Sequence, residues 1–332
     1  MTGLALQPAR PAWRRDARLM RGAGLLRVIV FRAGGLVAGL ALLGVVWEAY
    51  KAWGPTGGAH LLGISVLPRT DDNAMPHLWT IWNVLGQQDA VGSQQTLSFG
   101  PSSSGSSGGQ TVLGAIAGDC LQTFQWAAVG CVVGLLVGMG LALLLDRSRL
   151  IERAALPYLV ASQTVPLVAL APILAQWDGS IKIGGWTWSN GTSIELVAAY
   201  LAFFPISIGM LRGLRSASAV QNDLFTCTAA SWRQTLLRLK LPTSVPHLLP
   251  ALRLAAAASV VGAIVAEISI GQGAIGAKSG IGTRIWEYSQ QSDSARLYAS
   301  VIAAAVLGLG VTLLVGLFDL VLYRYNRLGA RD

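Results

Sequence analysis

Six long apolar runs divide the chain, and each is long enough to form a helix that crosses a bilayer. A hydrocarbon core about 30 Å thick needs about 20 apolar residues in helical form. The runs predict membrane-spanning helices over residues 33–50, 126–145, 154–177, 194–211, 248–270 and 298–323. The predicted fold class is therefore an all-α integral membrane protein with about six transmembrane helices.

The composition agrees with a chain surrounded by lipid. Hydrophobic residues make up 53% of the 332 residues, and the mean hydropathy is +0.53. Charged residues reach 12%, whereas ordinary soluble domains carry about 25%. A soluble protein of this length would need more charge to cover its surface, so a soluble fold is excluded.

The distribution of positive charge predicts the orientation of the helices. With the N-terminus placed in the cytoplasm, 19 of the 25 Lys and Arg residues fall on the inner side and six on the outer side. Loops on the cytoplasmic side of a membrane protein carry an excess of Lys and Arg. Both termini are therefore predicted to be cytoplasmic. The net charge of +9 needs no nucleic-acid partner to explain it.

These spans and charges suggest a linear organisation into five parts. We predict a basic cytoplasmic arm over residues 1–32, a first span over 33–53 and an extracytoplasmic loop over 54–118. A Ser/Gly-rich insertion inside that loop, residues 99–109, has the composition of a flexible linker. A five-span core over 119–323 and a cytoplasmic tail over 324–332 complete the chain.

Some residues within the spans are candidates for lining a solute path. The third predicted span contains Pro166 and Pro172, and proline bends membrane helices that often line transport pathways. Gln163 lies in the same span, and Glu267 is a carboxylate in the fifth. The alternatives are a plain packing kink for the prolines, and a structural hydrogen bond or an interfacial position for Glu267.

The glycines in the second span predict helix packing rather than a solute path. Gly130, Gly134 and Gly138 form two overlapping GxxxG spacings. Such spacing lets two helix backbones approach closely. We predict that this face of the helix packs tightly against a neighbour.

The sequence shows no nucleotide, metal or catalytic motif of its own. A P-loop-like stretch from Gly100 has Ser106 where the motif requires Lys, and the GxGxxG at 271–276 follows a membrane span rather than a β-strand. The three cysteines and three histidines show no ligand spacing. We expect no catalytic residue, no metal and no cofactor on this chain.

The loop between the fourth and fifth predicted spans, residues 212–247, is the longest on the inner side. Ala229, Trp232, Leu236 and Leu239 recur at steps of three and four, which predicts one amphipathic helix. Pro242 and Pro246 are then expected to break it. A short helix of this kind can dock in a groove of another protein or rest on lipid headgroups.

This loop resembles the "EAA" loop of permeases from ABC importers. That pattern runs Glu-Ala-Ala, three residues, Gly, nine residues and Ile-x-Leu-Pro. Asp223 stands at the Glu position, Ala229 at the Gly position and Leu239 at the Ile position, and Leu241-Pro242 match the ending. The stretch 145–153, Leu-Asp-Arg-Ser-Arg-Leu-Ile-Glu-Arg, is similar to permeases of the nitrate, sulfonate, taurine, pyrimidine-precursor and riboflavin subgroup.

The resemblance implies a transport subunit without an ATPase site. Two permease copies, an ABC ATPase dimer that binds ATP and Mg²⁺, and an extracytoplasmic substrate-binding protein would form the importer. The loop would carry the ATPase contact, with candidate residues Asp223, Phe225, Ala229, Ala230, Ser231, Trp232, Arg233, Leu239, Leu241 and Pro242.

A secondary transporter and a membrane enzyme are the two alternatives to an importer. An ion-coupled secondary transporter would need ionisable groups near the membrane midplane and often inverted repeats, whereas the spans offer carboxylates only near their ends. A membrane enzyme would need a cluster of catalytic side chains, and the Cys, His and acidic residues do not cluster in the sequence.

Overall fold

The computed structural model describes residues 34–35, 38–39, 41–55, 59–61, 64–67, 69–89, 110–270 and 279–329. The basic arm, the Ser/Gly-rich insertion and the GxGxxG stretch lie outside the described residues. The chain divides into two compact units, Met1–Trp79 and Thr80–Asp332.

The first unit contains a helix and a short hairpin. Residues 41–53 form helix α1, and residues 34–35 and 38–39 are also helical, so the described part of the first predicted span is helical. Strands β1 (Ala59–Leu61) and β2 (Ile64–Leu67) pair antiparallel. The ammonium of Lys51 lies 2.5 Å from Oδ1 of Asp72, which ties the end of α1 to the segment after the hairpin.

The described part of the second unit is mainly helical. Helix α2 (Leu78–Val84) begins at the boundary between the units. The elements that follow are α3 (Val112–Arg147), α4 (Arg149–Ser162), α5 (Leu167–Ala175), strands β3 (Lys182–Ile183) and β4 (Trp186–Thr187), α6 (Asn190–Leu214), α7 (Ala219–Cys227), α8 (Trp232–Thr235), a π-helical turn (Leu236–Lys240), α9 (Leu241–Ile270), α10 (Ile281–Gln290) and α11 (Ser294–Gly329).

Among the described residues, four helices are long and apolar enough to cross a membrane. They cover Val112–Arg147, Asn190–Leu214, Trp232–Ile270 and Ser294–Phe318. Each contains one of the predicted spans or most of it. Helices α4 and α5 give a fifth span if they are counted as one broken span.

The third predicted span, 154–177, is not one continuous helix. Its two halves meet at 88° around residues 163–166. Pro166 has an extended backbone and caps the start of α5, because a proline cannot supply the N–H that would continue the helix. The predicted bend is confirmed, but it is far sharper than a kink. Pro157 and Pro172 lie inside α4 and α5.

The core of the second unit forms where α3 and α9 pack on α6. A Cβ placed on Gly130 would lie 2.5 Å from Cβ of Ala198, and one on Gly134 would lie 2.8 Å from Cβ of Ala202. These distances leave no room for any side chain at either glycine. The close approach that the GxxxG spacing predicts is confirmed, and α6 is the partner helix.

Candidate functional site

The 212–247 loop contains two helices rather than one. Helix α7 covers Ala219–Cys227, and α8 starts at Trp232. The predicted single amphipathic helix through Ala229 is therefore wrong. The chain turns between the two helices, because Ala229 takes a left-handed backbone conformation with φ of 50°.

Two hydrogen bonds close the end of α7 in the arrangement known as a Schellman motif. The N–H of Ala230 donates to the carbonyl of Phe225 at 3.0 Å, and the N–H of Ala229 donates to that of Thr226 at 3.0 Å. The residue at the left-handed position of this motif is usually Gly. The EAA pattern has its Gly at this same position.

Ser231 starts the second half of the loop. Its hydroxyl accepts the N–H of Gln234 at 3.4 Å, and its own N–H donates to Oε1 of Gln234 at 2.8 Å. This reciprocal pair is a capping box, which fixes where a helix begins. Ser231, predicted to contact the ATPase, therefore has a capping role in this structure, and the contact stays a prediction.

Pro242 and Pro246 do not break the helix, contrary to the prediction. The chain passes from α8 through the π-helical turn directly into α9, and both prolines lie in that helix. Pro242 directly follows the π-helical turn, in which the N–H of Leu241 donates to the carbonyl of Leu236, five residues back. The regular bonding to the fourth preceding residue, which a proline interrupts, is therefore already absent at this point. The loop is thus joined to the long α9 by continuous helical backbone.

The candidate residues of the loop differ in their exposure. No residue of α7 is buried, and Asp223 and Ala229 are exposed while Phe225 and Ala230 are half-buried. In the second half, Leu239 is buried and Leu241 is half-buried, while Ser231, Trp232, Arg233 and Pro242 are exposed. Helix α7 thus buries no side chain, whereas the π-helical turn buries two.

A buried carboxylate anchors the second half of the loop. Lys240 Nζ donates to Oδ2 of Asp146 at 2.6 Å, and Nε of Arg215 lies 3.9 Å from the other oxygen. Arg215 also forms two hydrogen bonds to Glu152, one of them 2.7 Å long. The Glu152 contact raises the pKa of Arg215. These ion pairs join the ends of α3 and α6 and the start of α4 to the π-helical turn.

An aromatic contact adds to this anchoring. The guanidinium of Arg147 lies 5.0 Å from the ring centre of Trp232, which is within the range of cation–π attraction. Leu236 packs into the apolar cluster that contains Leu145 and Leu214. The segment from Trp232 to Lys240 is therefore held by charge and by apolar packing.

The residues predicted to line a path do not come together. Gln163 lines a cavity of about 600 Å³ between α6 and α9. Pro166 is exposed, Pro172 is half-buried, and neither lines that cavity. Glu267 is 1% exposed, and its Oε2 accepts the N–H of Gly282 at 2.7 Å. A structural hydrogen bond, one of the alternatives predicted for Glu267, is thus present.

A network of buried polar groups surrounds the first turns of α10. Arg284 pairs with Asp89 and, at 2.6 Å from Nε to Oδ2, with Asp119. Ser279 donates to the other oxygen of Asp119 at 3.1 Å. The hydroxyl of Tyr288 donates to Asp89 at 3.2 Å, and burial raises the pKa of Tyr288 to about 12. The network joins α10 to α3 and to the segment after α2.

Sequence reasoning missed several residues of these sites. Asp146, Glu152 and Arg215 lie in three different segments, and a single sequence carries no signal that they meet. The sequence does carry a signal for the exposed apolar face of α7, which Val220 and Leu224 form with 78% and 60% exposure. Apolar residues four apart on a helix share one face.

A family profile identifies the class of protein to which this chain belongs. The profile described as binding-protein-dependent transport system inner membrane component matches residues 133–326. The chain belongs to this family. It is an ABC importer permease and a multi-pass protein of the plasma membrane, so the family that the sequence resemblance implies is confirmed.

Curated relatives place this permease in one subgroup. It is 34% identical over 188 residues to the formylaminopyrimidine transport permease protein ThiX of Halalkalibacterium halodurans. This match covers 56% of this chain and 69% of the relative. It is 29% identical to the riboflavin transport system permease protein RibX of Chloroflexus aurantiacus, over 54% of this chain and 61% of the relative.

A third relative is named for a different solute. The nitrate import permease protein NrtB of Leptolyngbya laminosa is 26% identical to this permease, over 58% of this chain and 64% of the relative. A solved structure described as an amino acid ABC transporter with histidines shows 17% identity and a TM-score of 0.46, covering 61% of this chain and 92% of that chain.

Proposed function

We propose that this chain forms half of the solute pathway of an ATP-driven importer and that its 212–247 loop docks on a separate ATPase subunit. A second copy of the chain supplies the other half, and an extracytoplasmic binding protein delivers the solute. ATP and Mg²⁺ bind on the ATPase. The solute is a small molecule of the sulfonate, nitrate, taurine, pyrimidine-precursor or riboflavin type.

The exposed apolar face of α7 is the observation that carries this proposal. Val220 and Leu224 are exposed on a helix with no buried residue. The next segment is fixed by the Asp146 ion pairs and continues into α9. A partner that pushes on α7 would therefore move α9 through a firm connection.

The topology that goes with this function places the loop on the ATPase side. Six spans, the first within residues 33–53 and five in the core 119–323, with both termini in the cytoplasm, put residues 212–247 in the cytoplasm. The 19 Lys and Arg residues of that side support the orientation. Membership of the importer family does not favour an ion-coupled secondary transporter.

Copurification of the chain with the ATPase subunit of its transport system tests the proposal. We expect Leu224→Asp to reduce ATPase capture, because it puts a charge on the apolar face of α7. Thr226→Asp puts the same charge on the same helix, about 200° around its axis, and we expect it to retain capture. Full capture by Leu224→Asp, or equal loss in both variants, would contradict the docking role of this face.

A further inference from the structure

The cavity between α6 and α9 has apolar walls and a polar end. Leu201, Phe204 and Leu254 contribute to its walls. Arg212 and His247 lie at the end of the cavity nearest the 212–247 loop. Its volume of about 600 Å³ is within the range of small-molecule sites, roughly 300–1,000 Å³.

Arg212 differs from the arginine that follows it on the same helix end. Arg215 is held by Glu152 and Asp146, whereas no ion pair joins Arg212 to any described residue. The described residues that line the cavity include no acidic side chain. A guanidinium beside a cavity without carboxylates attracts a negatively charged group, and it can donate two parallel hydrogen bonds to an oxyanion.

The opposite end of the cavity is neutral. Gln163, at the bend between α4 and α5, supplies an amide there. Between Gln163 and Arg212 the walls are mainly apolar and proline-rich, with Pro205 and Pro250 among them. A solute that matches both the walls and the charged end has an apolar part and an anionic group.

We infer that this cavity is part of the solute path and that Arg212 makes it selective for an organic anion, of the alkylsulfonate class, over neutral molecules and over small inorganic anions. Nitrate is too small to contact the apolar walls and Arg212 together. A neutral heterocycle makes no use of the guanidinium. The inference rests on the proposed function, because the cavity belongs to the path only if this chain is a permease.

Arg212 also counts among the inner positive charges that orient the protein, and the test must separate this role from ligand binding. Arg238 is an exposed arginine of the same loop that does not line the cavity. Arg238→Gln therefore removes the same charge from the same side of the membrane, and it serves as the matched control.

Binding of butanesulfonate, 1-butanol and nitrate to the full chain in lipid nanodiscs, measured by titration calorimetry against empty nanodiscs, tests the inference. We expect butanesulfonate to bind at least about tenfold more tightly than the other two. Arg212→Gln should lose about tenfold or more, since a hydrogen bond to a charged group contributes roughly 1.5–3 kcal/mol. Arg212→Lys should retain most of the binding, and Arg238→Gln all of it.

Equal binding of butanesulfonate and 1-butanol, or unchanged binding by Arg212→Gln, would overturn the inference. Equal binding of nitrate and butanesulfonate would overturn the role of the apolar walls, and Phe204→Ala tests that role separately because it should weaken butanesulfonate binding alone. ATPase capture is measured on the same preparations. Capture without sulfonate binding overturns only the inference, whereas no capture by the unmodified chain overturns the proposed function.

Discussion

Lys240 of the π-helical turn and Asp146 at the end of α3 form an ion pair 2.6 Å long across 94 positions of sequence. The Asp146 side chain is 3% exposed. Its contact therefore lies in a water-poor region where charge attraction is stronger than at a surface. The pair fixes the turn between α8 and α9 to the main helical bundle.

Lys240→Met should destabilise the chain and weaken the link between the loop and the bundle. The substitution leaves the Asp146 carboxylate buried, with Arg215 as its remaining cation among the side chains that the structure describes. We expect a loss of about 1–3 kcal/mol, the cost of removing a hydrogen bond to a charged group. Thermal unfolding in detergent measures it.

A double-mutant cycle is the control for this prediction. If the pair acts as a unit, Asp146→Asn with Lys240→Met should cost less than the two single losses added together. Additive losses would show that the two residues stabilise the protein independently, which contradicts the ion pair.

Ala229→Gly should stabilise the end of α7. A left-handed conformation costs an L-residue about 1–2 kcal/mol, and Gly adopts it freely but loses more backbone entropy on folding, so the expected net gain is about 0.5–1 kcal/mol. Slower hydrogen exchange of the backbone amides at positions 229 and 230 would report the gain in stability.

Ala230→Gly is the matched control for that substitution. Ala230 follows directly and does not have a positive φ. Gly therefore relieves no strain there, and exchange should stay the same or become faster. Equal protection in both variants would mean that the left-handed backbone at Ala229 carries no cost.

Much of this architecture follows from the sequence because it depends on composition and spacing. Apolar runs predict the long helices, and the glycines at 130, 134 and 138 predict the tight α3–α6 contact. The left-handed turn that ends α7 could not be predicted in this way. Ala229 gives no local signal of a left-handed conformation, since only Gly and Asn are common there.

The contacts that anchor the loop show the limit of a single sequence. Asp146, Arg215 and Lys240 are brought together by the packing of helix ends, and their spacing along the chain has no period. The residue type of Pro242 predicts a helix break. The π-helical turn directly before it, through which the helix continues, has no signal in a single sequence.

Gly134→Ala should disrupt the packing of α3 on α6. The added methyl would lie 2.8 Å from the carbonyl of Ala199 and from Cβ of Ala202, so the helices must separate. Overpacking of this kind costs about 1–3 kcal/mol. Thermal unfolding in detergent should show a lower midpoint. Gly140→Ala, on the same helix with no atom within 4 Å of the new methyl, should show no loss.

Arg284→Gln should strongly destabilise the polar network around α10. It would remove the guanidinium that pairs with both Asp89 and Asp119, and both side chains are less than a tenth exposed. Removing one partner of a buried ion pair costs about 3–5 kcal/mol. Arg296→Gln is the control, because Arg296 pairs with the partly exposed Asp293 three residues before it, and its loss should stay below about 1 kcal/mol. Equal losses would contradict the importance of burial.

Cys227 offers a direct measurement of the predicted orientation. It is exposed on α7, whereas Cys120 and Cys131 are partly buried. In a Cys120→Ser/Cys131→Ser background, a membrane-impermeant maleimide should label Cys227 in inside-out vesicles and leave it unlabelled in intact cells. Gln290→Cys in a background that also lacks Cys227 should show the opposite pattern, because this exposed position lies on the predicted outer side. Labelling of Cys227 in intact cells would place the 212–247 loop outside and remove it from any contact with a cytoplasmic ATPase.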